Sequence, residues 1–154
     1  MTDTEKIIAY IEENRVLTLC TARGSLPWAA NCFYAFDRAT MTLLLMSDPA
    51  TRHAIELAEN DRVAGTITSQ ESTVVRLRGL QFTGRGSLMK GAQMETGREI
   101  YLQRFPIARL HSAPLWAIKL ETVKFTNNTL GFGTKLRWTR RQETLPALSA
   151  PGEI

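Results

Sequence analysis

Strand-like runs follow one another along this chain with too few helical segments between them to supply crossovers. Parallel neighbours need a connection of a dozen or more residues, usually a helix, whereas antiparallel neighbours need only a turn. Seven runs rich in β-branched, aliphatic or aromatic residues stand out, at 16–22, 27–36, 41–46, 62–68, 74–88, 115–123 and 130–141. Arg23-Gly24-Ser25 joins the first two as a hairpin, residues 37–40 turn the chain into the third so that the first three form a meander, and Asn127-Asn128 turns into the last. Phe132, Leu136 and Trp138 stand at even spacing in that last run and so belong on one face of a strand. Gly79, Gly84 and Gly86 lie inside one run, which predicts bulges or close backbone approaches. Helices are few. Thr2-x-x-Glu5 is a capping box before an Ile7, Ile8, Ile11 stripe that stops near Asn14, and Met94, Tyr101 and Phe105 mark a second helix over 89–105, closed by Pro106. The predicted class is therefore mainly β: a six- to seven-stranded antiparallel barrel with short flanking helices.

The densest chemistry lies between residues 41 and 60. Met41 to Met46 is an unbroken apolar run, too short for a bundle helix, and reads as a buried strand. Ser47-Asp48-Pro49 then suits a helix start, with Asp48 as N-cap and Pro49 at the first helical position. Thr51, Arg52 and His53 fall in the first turn, and Ala54, Leu57 and Ala58 form a narrow apolar face that ends at Asn60-Asp61. Hydroxyls, a fixed cation and a titratable ring thus converge on a helix N-terminus, whose free N–H groups and positive dipole end favour an anion such as phosphate. The competing reading is a capped helix with a solvated first turn, since no glycine-rich loop accompanies it.

Length and composition bound the rest. At 154 residues, 44% hydrophobic and 22% charged, the chain is of single-domain size. Residues 1–141 form that domain, and 142–154, with two prolines and no period, read as a mobile tail. No run approaches the roughly 20 apolar residues of a membrane helix, and the amino terminus has no secretion pattern, so the expectation is a cytoplasmic protein without membrane contact. Cys20 and Cys32 sit in apolar runs without ligand spacing, which predicts buried free thiols and no metal site. Lys135, Arg137, Arg140 and Arg141 cluster four cations within seven residues around Trp138. Such a cluster either guards an edge strand or, remotely, binds nucleic acid. Trp28, Trp116 and Phe82 read as core or interface aromatics, and His111 as a solvated loop residue; no spacing supports a hydrolase.

Three stretches, Ser47-Asp48-Pro49-Ala50-Thr51-Arg52-His53, Gly79-Leu80-Gln81-Phe82-Thr83-Gly84 and Asn127-Asn128-Thr129-Leu130-Gly131-Phe132-Gly133, in that order, resemble the split-barrel flavin-binding family typified by pyridoxamine phosphate oxidase, and within it the uncharacterised YhbP-like branch. The resemblance covers roughly residues 16–138. It implies a split barrel that forms a homodimer, with two flavin mononucleotide (FMN) sites at the subunit interface and an unknown small molecule as substrate. It implies that Ser47, Thr51 and Arg52 take the phosphate, with His53 standing where many members carry lysine. Ala30, Asn31 and Cys32 match the segment that lies along the flavin ring, Gln81 joins the cofactor-binding set, and Phe132, Lys135 and Trp138 fall in the region where an aromatic and an arginine complete the site in larger members, without a one-to-one correspondence. Two functions follow from it: an FMN-dependent oxidoreductase, or a non-catalytic module that holds a flavin, haem or similar ligand.

Overall fold

The structure is a computed structural model that describes residues 1–111 and 113–141; the expected tail lies outside the described residues. Helix α1 (Asp3–Glu13) opens the chain, followed by β1 (Val16–Arg23), β2 (Leu26–Phe33), β3 (Ala35–Asp37) and β4 (Thr42–Met46). Helix α2 (Arg52–Glu59), β5 (Arg62–Thr68), β6 (Arg78–Leu88), α3 (Gly91–Arg104), β7 (Leu115–Asn127) and β8 (Lys135–Thr139) complete it. All strand pairs are antiparallel, and the sheet runs β2-β1-β5-β6-β7-β4-β3, with β8 paired to β7 beyond β4.

The expected meander is broken in an informative way. The run 27–36 is two strands, because Tyr34 turns inward, is buried, and donates its hydroxyl to the Ile11 carbonyl at 2.5 Å. Before it, β2 pairs with β1; after it, β3 pairs with β4. The two ends of the sheet are thus joined through the chain at Tyr34 and not by a ladder, which leaves the barrel split between β2 and β4.

Alternation builds the core. Leu17 and Leu19 of β1, Leu43 and Leu45 of β4, Ile67 of β5, Leu80 and Phe82 of β6 and Ile118, Leu120 and Phe125 of β7 point inward. Ile7, Tyr10 and Ile11 of α1 and Ala54 and Leu57 of α2 close the interior, each Leu-sized side chain contributing about 2 kcal/mol. Helix α3 covers the outer face instead, burying Tyr101 against Ala35, Leu44 and Leu115.

The glycine expectation holds for two of the three. The β6–β7 register shifts between Thr83 and Gly84, where a Cβ would come within 2.7 Å of the Lys119 carbonyl, and at Gly86 a Cβ would meet Leu57 of α2. Residues 74–76 are a 3-10 turn and not strand, so the strand begins at Arg78. Residues 128–130 are also a 3-10 turn, and the last strand spans only Lys135–Thr139. Phe132 therefore lies in a loop, 78% exposed and off the strand face that Leu136 and Trp138 share.

Candidate functional site

The peptide after β4 is fixed from both sides. Ser47 donates its N–H to the Pro114 carbonyl at 3.0 Å and accepts the Trp116 indole N–H on its own carbonyl at 3.4 Å. Asp48 does not cap the helix as expected. Its carboxylate accepts the Ala50 N–H at 2.7 Å and its carbonyl the Thr51 N–H at 3.1 Å, a tight turn that uses up the Asp-Pro signal. The cap is Thr51, three residues later, whose hydroxyl accepts from the Ala54 N–H at 3.4 Å.

That shift changes what the elbow presents. Ser47 Oγ and His53 Nε2 share a 2.6 Å hydrogen bond, Thr51 Oγ1 lies 3.3 Å from the same nitrogen, and the two hydroxyls are 3.5 Å apart. The imidazole is half-buried, and desolvation lowers its pKa from 6.5, which favours the neutral ring. Three of the expected residues, Ser47, Thr51 and His53, thus form one polar cluster at the mouth of the split.

Arg52 is turned away from that cluster. Its Nε donates to Glu56 Oε2 at 3.0 Å, and its guanidinium lies 4.2 Å over the Trp28 ring. Glu56 is buried at 2% exposure and accepts the Thr21 hydroxyl on its other oxygen at 3.3 Å. Sequence reasoning missed this Trp28–Arg52–Glu56–Thr21 chain. The i,i+4 spacing of Arg52 and Glu56 was its one visible signal.

The other expected residues fall into separate places. Trp28, Ala30 and Cys32 alternate onto the β2 face that carries Arg52, so Ala30 and Cys32 line the split beside α2. Burial raises the Cys32 thiol pKa, and both cysteines are free. Asn31 points to the opposite face, accepts the Thr18 hydroxyl at 2.9 Å, and shares an outer-sheet row with Thr18, Thr66 and Gln81. Three strand spacings of about 4.8 Å separate Asn31 from Gln81 across that row.

Lys135 and Phe132 stand at the far end of β7. Met46 pairs with Leu115 and Lys135 with Thr126, eleven residues along the same strand, or about 35 Å at the usual rise. Trp138 packs half-buried against the main core, with Arg140 over its ring. Arg140 is spent on the carbonyls of Leu120, Thr40 and Met41, which removes it from the cationic cluster that sequence set aside for an edge guard or nucleic acid. Phe82 and Trp116 are buried as expected, whereas Trp28 is 42% exposed beneath its cation, and His111 is exposed.

No protein-family model matches the chain. Among relatives, a UPF0306 protein of Serratia proteamaculans is 43% identical over 138 residues, covering 90% of this chain and 96% of its own length. Among solved structures, a heme binding protein from Mycobacterium smegmatis superposes with TM-score 0.78 at 19% identity over 90% of this chain, which spans 58% of that larger protein. An FAD-binding protein from Mesorhizobium loti gives TM-score 0.68 at 17% identity, covering 79% of this chain and 90% of its own. A candidate pyridoxamine 5'-phosphate oxidase from Listeria innocua gives 0.64 at 21%, covering 79% and 96%. These likenesses establish the fold as the split barrel of the pyridoxamine phosphate oxidase type, and the close relative establishes the kinship: the chain belongs to the UPF0306 family.

Proposed function

We propose that this protein is an FMN-binding flavoprotein, an oxidoreductase built as a homodimer of the domain over residues 1–141 and working in the cytoplasm on a small substrate. The observation that carries the reading is the Ser47–Thr51–His53 cluster at the mouth of the split, beside the β2 face of Ala30 and Cys32. Hydroxyls that already share hydrogen-bonding protons, next to the first turn of α2, suit the oxygens of a phosphate, and small side chains at 30 and 32 leave room for a flat ring. When bound, the flavin supplies hydride and electron transfer, and the protein supplies position and electrostatics. Phe132 and Lys135 cannot reach the elbow of their own chain across about 35 Å, so in this reading they serve the site of the partner.

A second reading, storage or sensing of a planar ligand without catalysis, is supported by the similarity to a heme binding protein and by the absence of a lysine at position 53. The absorption spectrum and mass of the ligand that copurifies test both. FMN, reduced by a nicotinamide cofactor and reoxidised by an added acceptor, supports the oxidoreductase. Haem, or a flavin inert to both, selects the second reading, and a chain monomeric by light scattering at micromolar concentration removes the shared site.

A further inference from the structure

The elbow differs from a strongly cationic anion site in its charge count. From Ser47 to Glu56 one cation, Arg52, faces two carboxylates, Asp48 and Glu56, and the cation is already paired with the buried one. The elements packed against α2 add little charge. On β1, Arg23 is paired with Glu59 and the other titratable group is Cys20; on β6, Arg85 is paired with Asp61 and Glu121, and Arg78 with Glu13 and Glu71; β2 offers only Cys32. His53 is the one titratable group inside the hydroxyl cluster, with its Nε2 on Ser47.

We infer that His53 is the specificity-determining residue of this site, and that the elbow accepts its ligand's anionic group with one net negative charge, so that a phosphate monoester binds together with one proton. The inference rests on the proposed ligand site at the elbow and adds to it the charge state of what is bound. A phosphate monoester in solution is a dianion above its second pKa near 6. Placed against an elbow whose cation is neutralised, it takes up a proton from water, shared between a phosphate oxygen and His53 Nε2. The half-buried ring rests neutral, and its Nε2, which shares a hydrogen bond with the Ser47 hydroxyl at 2.6 Å, takes the proton when a phosphate oxygen replaces that hydroxyl. A lysine at this position would bring a permanent charge and need no proton.

The test is the dissociation constant of FMN and of riboflavin, by flavin fluorescence, between pH 6.5 and 8.5, for wild type, His53→Lys and Glu56→Gln. In wild type the FMN affinity falls about tenfold per pH unit above pH 7, as one-proton linkage requires, and riboflavin is flat. His53→Lys tightens FMN at pH 8 by tenfold or more and abolishes the slope. Glu56→Gln, which frees the Arg52 charge, also tightens FMN at pH 8, and an unchanged riboflavin affinity shows that it is folded. FMN binding that is tight and flat in wild type, with no gain from lysine, overturns the inference and leaves the site standing. Failure of both ligands to bind wild type and His53→Lys overturns the site and the inference together.

Discussion

The two ends of β7 are built on different principles. At the Leu115 end every polar group of the elbow has a partner: Ser47 is held by Pro114 and Trp116, His53 by two hydroxyls, and Arg52 by Glu56 and Trp28. At the Asn127 end, two 3-10 turns are laced together by Asn128, which donates its side-chain amide to the Val74 carbonyl at 2.8 Å and its N–H to the Leu77 carbonyl at 3.0 Å. That rigid frame holds apolar groups out in solvent, with Val74 65%, Leu130 49% and Phe132 78% exposed. Lys135 and Arg137 stand exposed beside them, and residues 128–141 hold no carboxylate. One end is satisfied within the chain; the other leaves apolar and cationic side chains exposed side by side.

The largest effect that separates the ends comes from deleting one arginine at each. Arg52→Ala leaves the Glu56 carboxylate buried with only the Thr21 hydroxyl, and because the guanidinium is itself half exposed the loss is about 2.5 kcal/mol, within the range for a hydrogen bond to a charged group. Arg137→Ala, on the exposed row of β8, changes stability by less than about 0.5 kcal/mol. Urea denaturation of both variants checks the contrast. Arg52→Ala/Glu56→Gln, which removes the stranded charge, recovers more than half of the loss. If Arg52→Ala alone is neutral, the elbow is not held by this pair.

Two smaller effects sharpen the contrast. Gly86→Ala drives a methyl into Leu57 and Ile118, where α2 sits on β6, and costs about 2 kcal/mol by overpacking. Gly79→Ala, at the other end of the same strand, meets only the Thr68 side chain at ordinary contact distance and costs well under 1 kcal/mol. Thermal melts rank the two. Phe132→Ser leaves the fold's own stability within about 0.5 kcal/mol, because so little of the ring is buried, yet weakens self-association about tenfold if this end contacts a second copy. Sedimentation equilibrium reads the second number and denaturation the first.

The same contrast explains what could be read from sequence. Alternation found the strands because half-buried sheets impose it, and residues 62–68 were placed to the residue. Asp48-Pro49 is a strong cap signal locally, but the carboxylate closes an Asx turn and hands the cap to Thr51, a choice set by where β4 ends. Val74-Val75 carries strand propensity that the 3-10 turn overrides, since those side chains have no sheet to pack on. Ser47, Thr51 and His53 were legible as a cluster because they lie within seven residues. The burial of Glu56 and the distance from Phe132 to the elbow depend on strand register, which no local pattern of these residues encodes.

The smallest effect is also the most specific to the elbow. His53 has its pKa lowered by desolvation, so below the unfolded value of 6.5 the unfolded chain binds the proton that the folded chain resists. Stability linked to this ring is therefore full above pH 6.5 and is lost as pH falls from there toward the folded pKa, where the loss levels off. The ring is only half-buried, so the effect is small. His53→Gln keeps a hydrogen-bonding side chain and cannot titrate, so the difference in unfolding free energy between wild type and this variant should narrow or reverse between pH 7 and pH 5. A wild-type curve that parallels His53→Gln across the range would mean that the ring is solvated in the folded protein, and the elbow would then lose the property that sets it apart from the far end of β7.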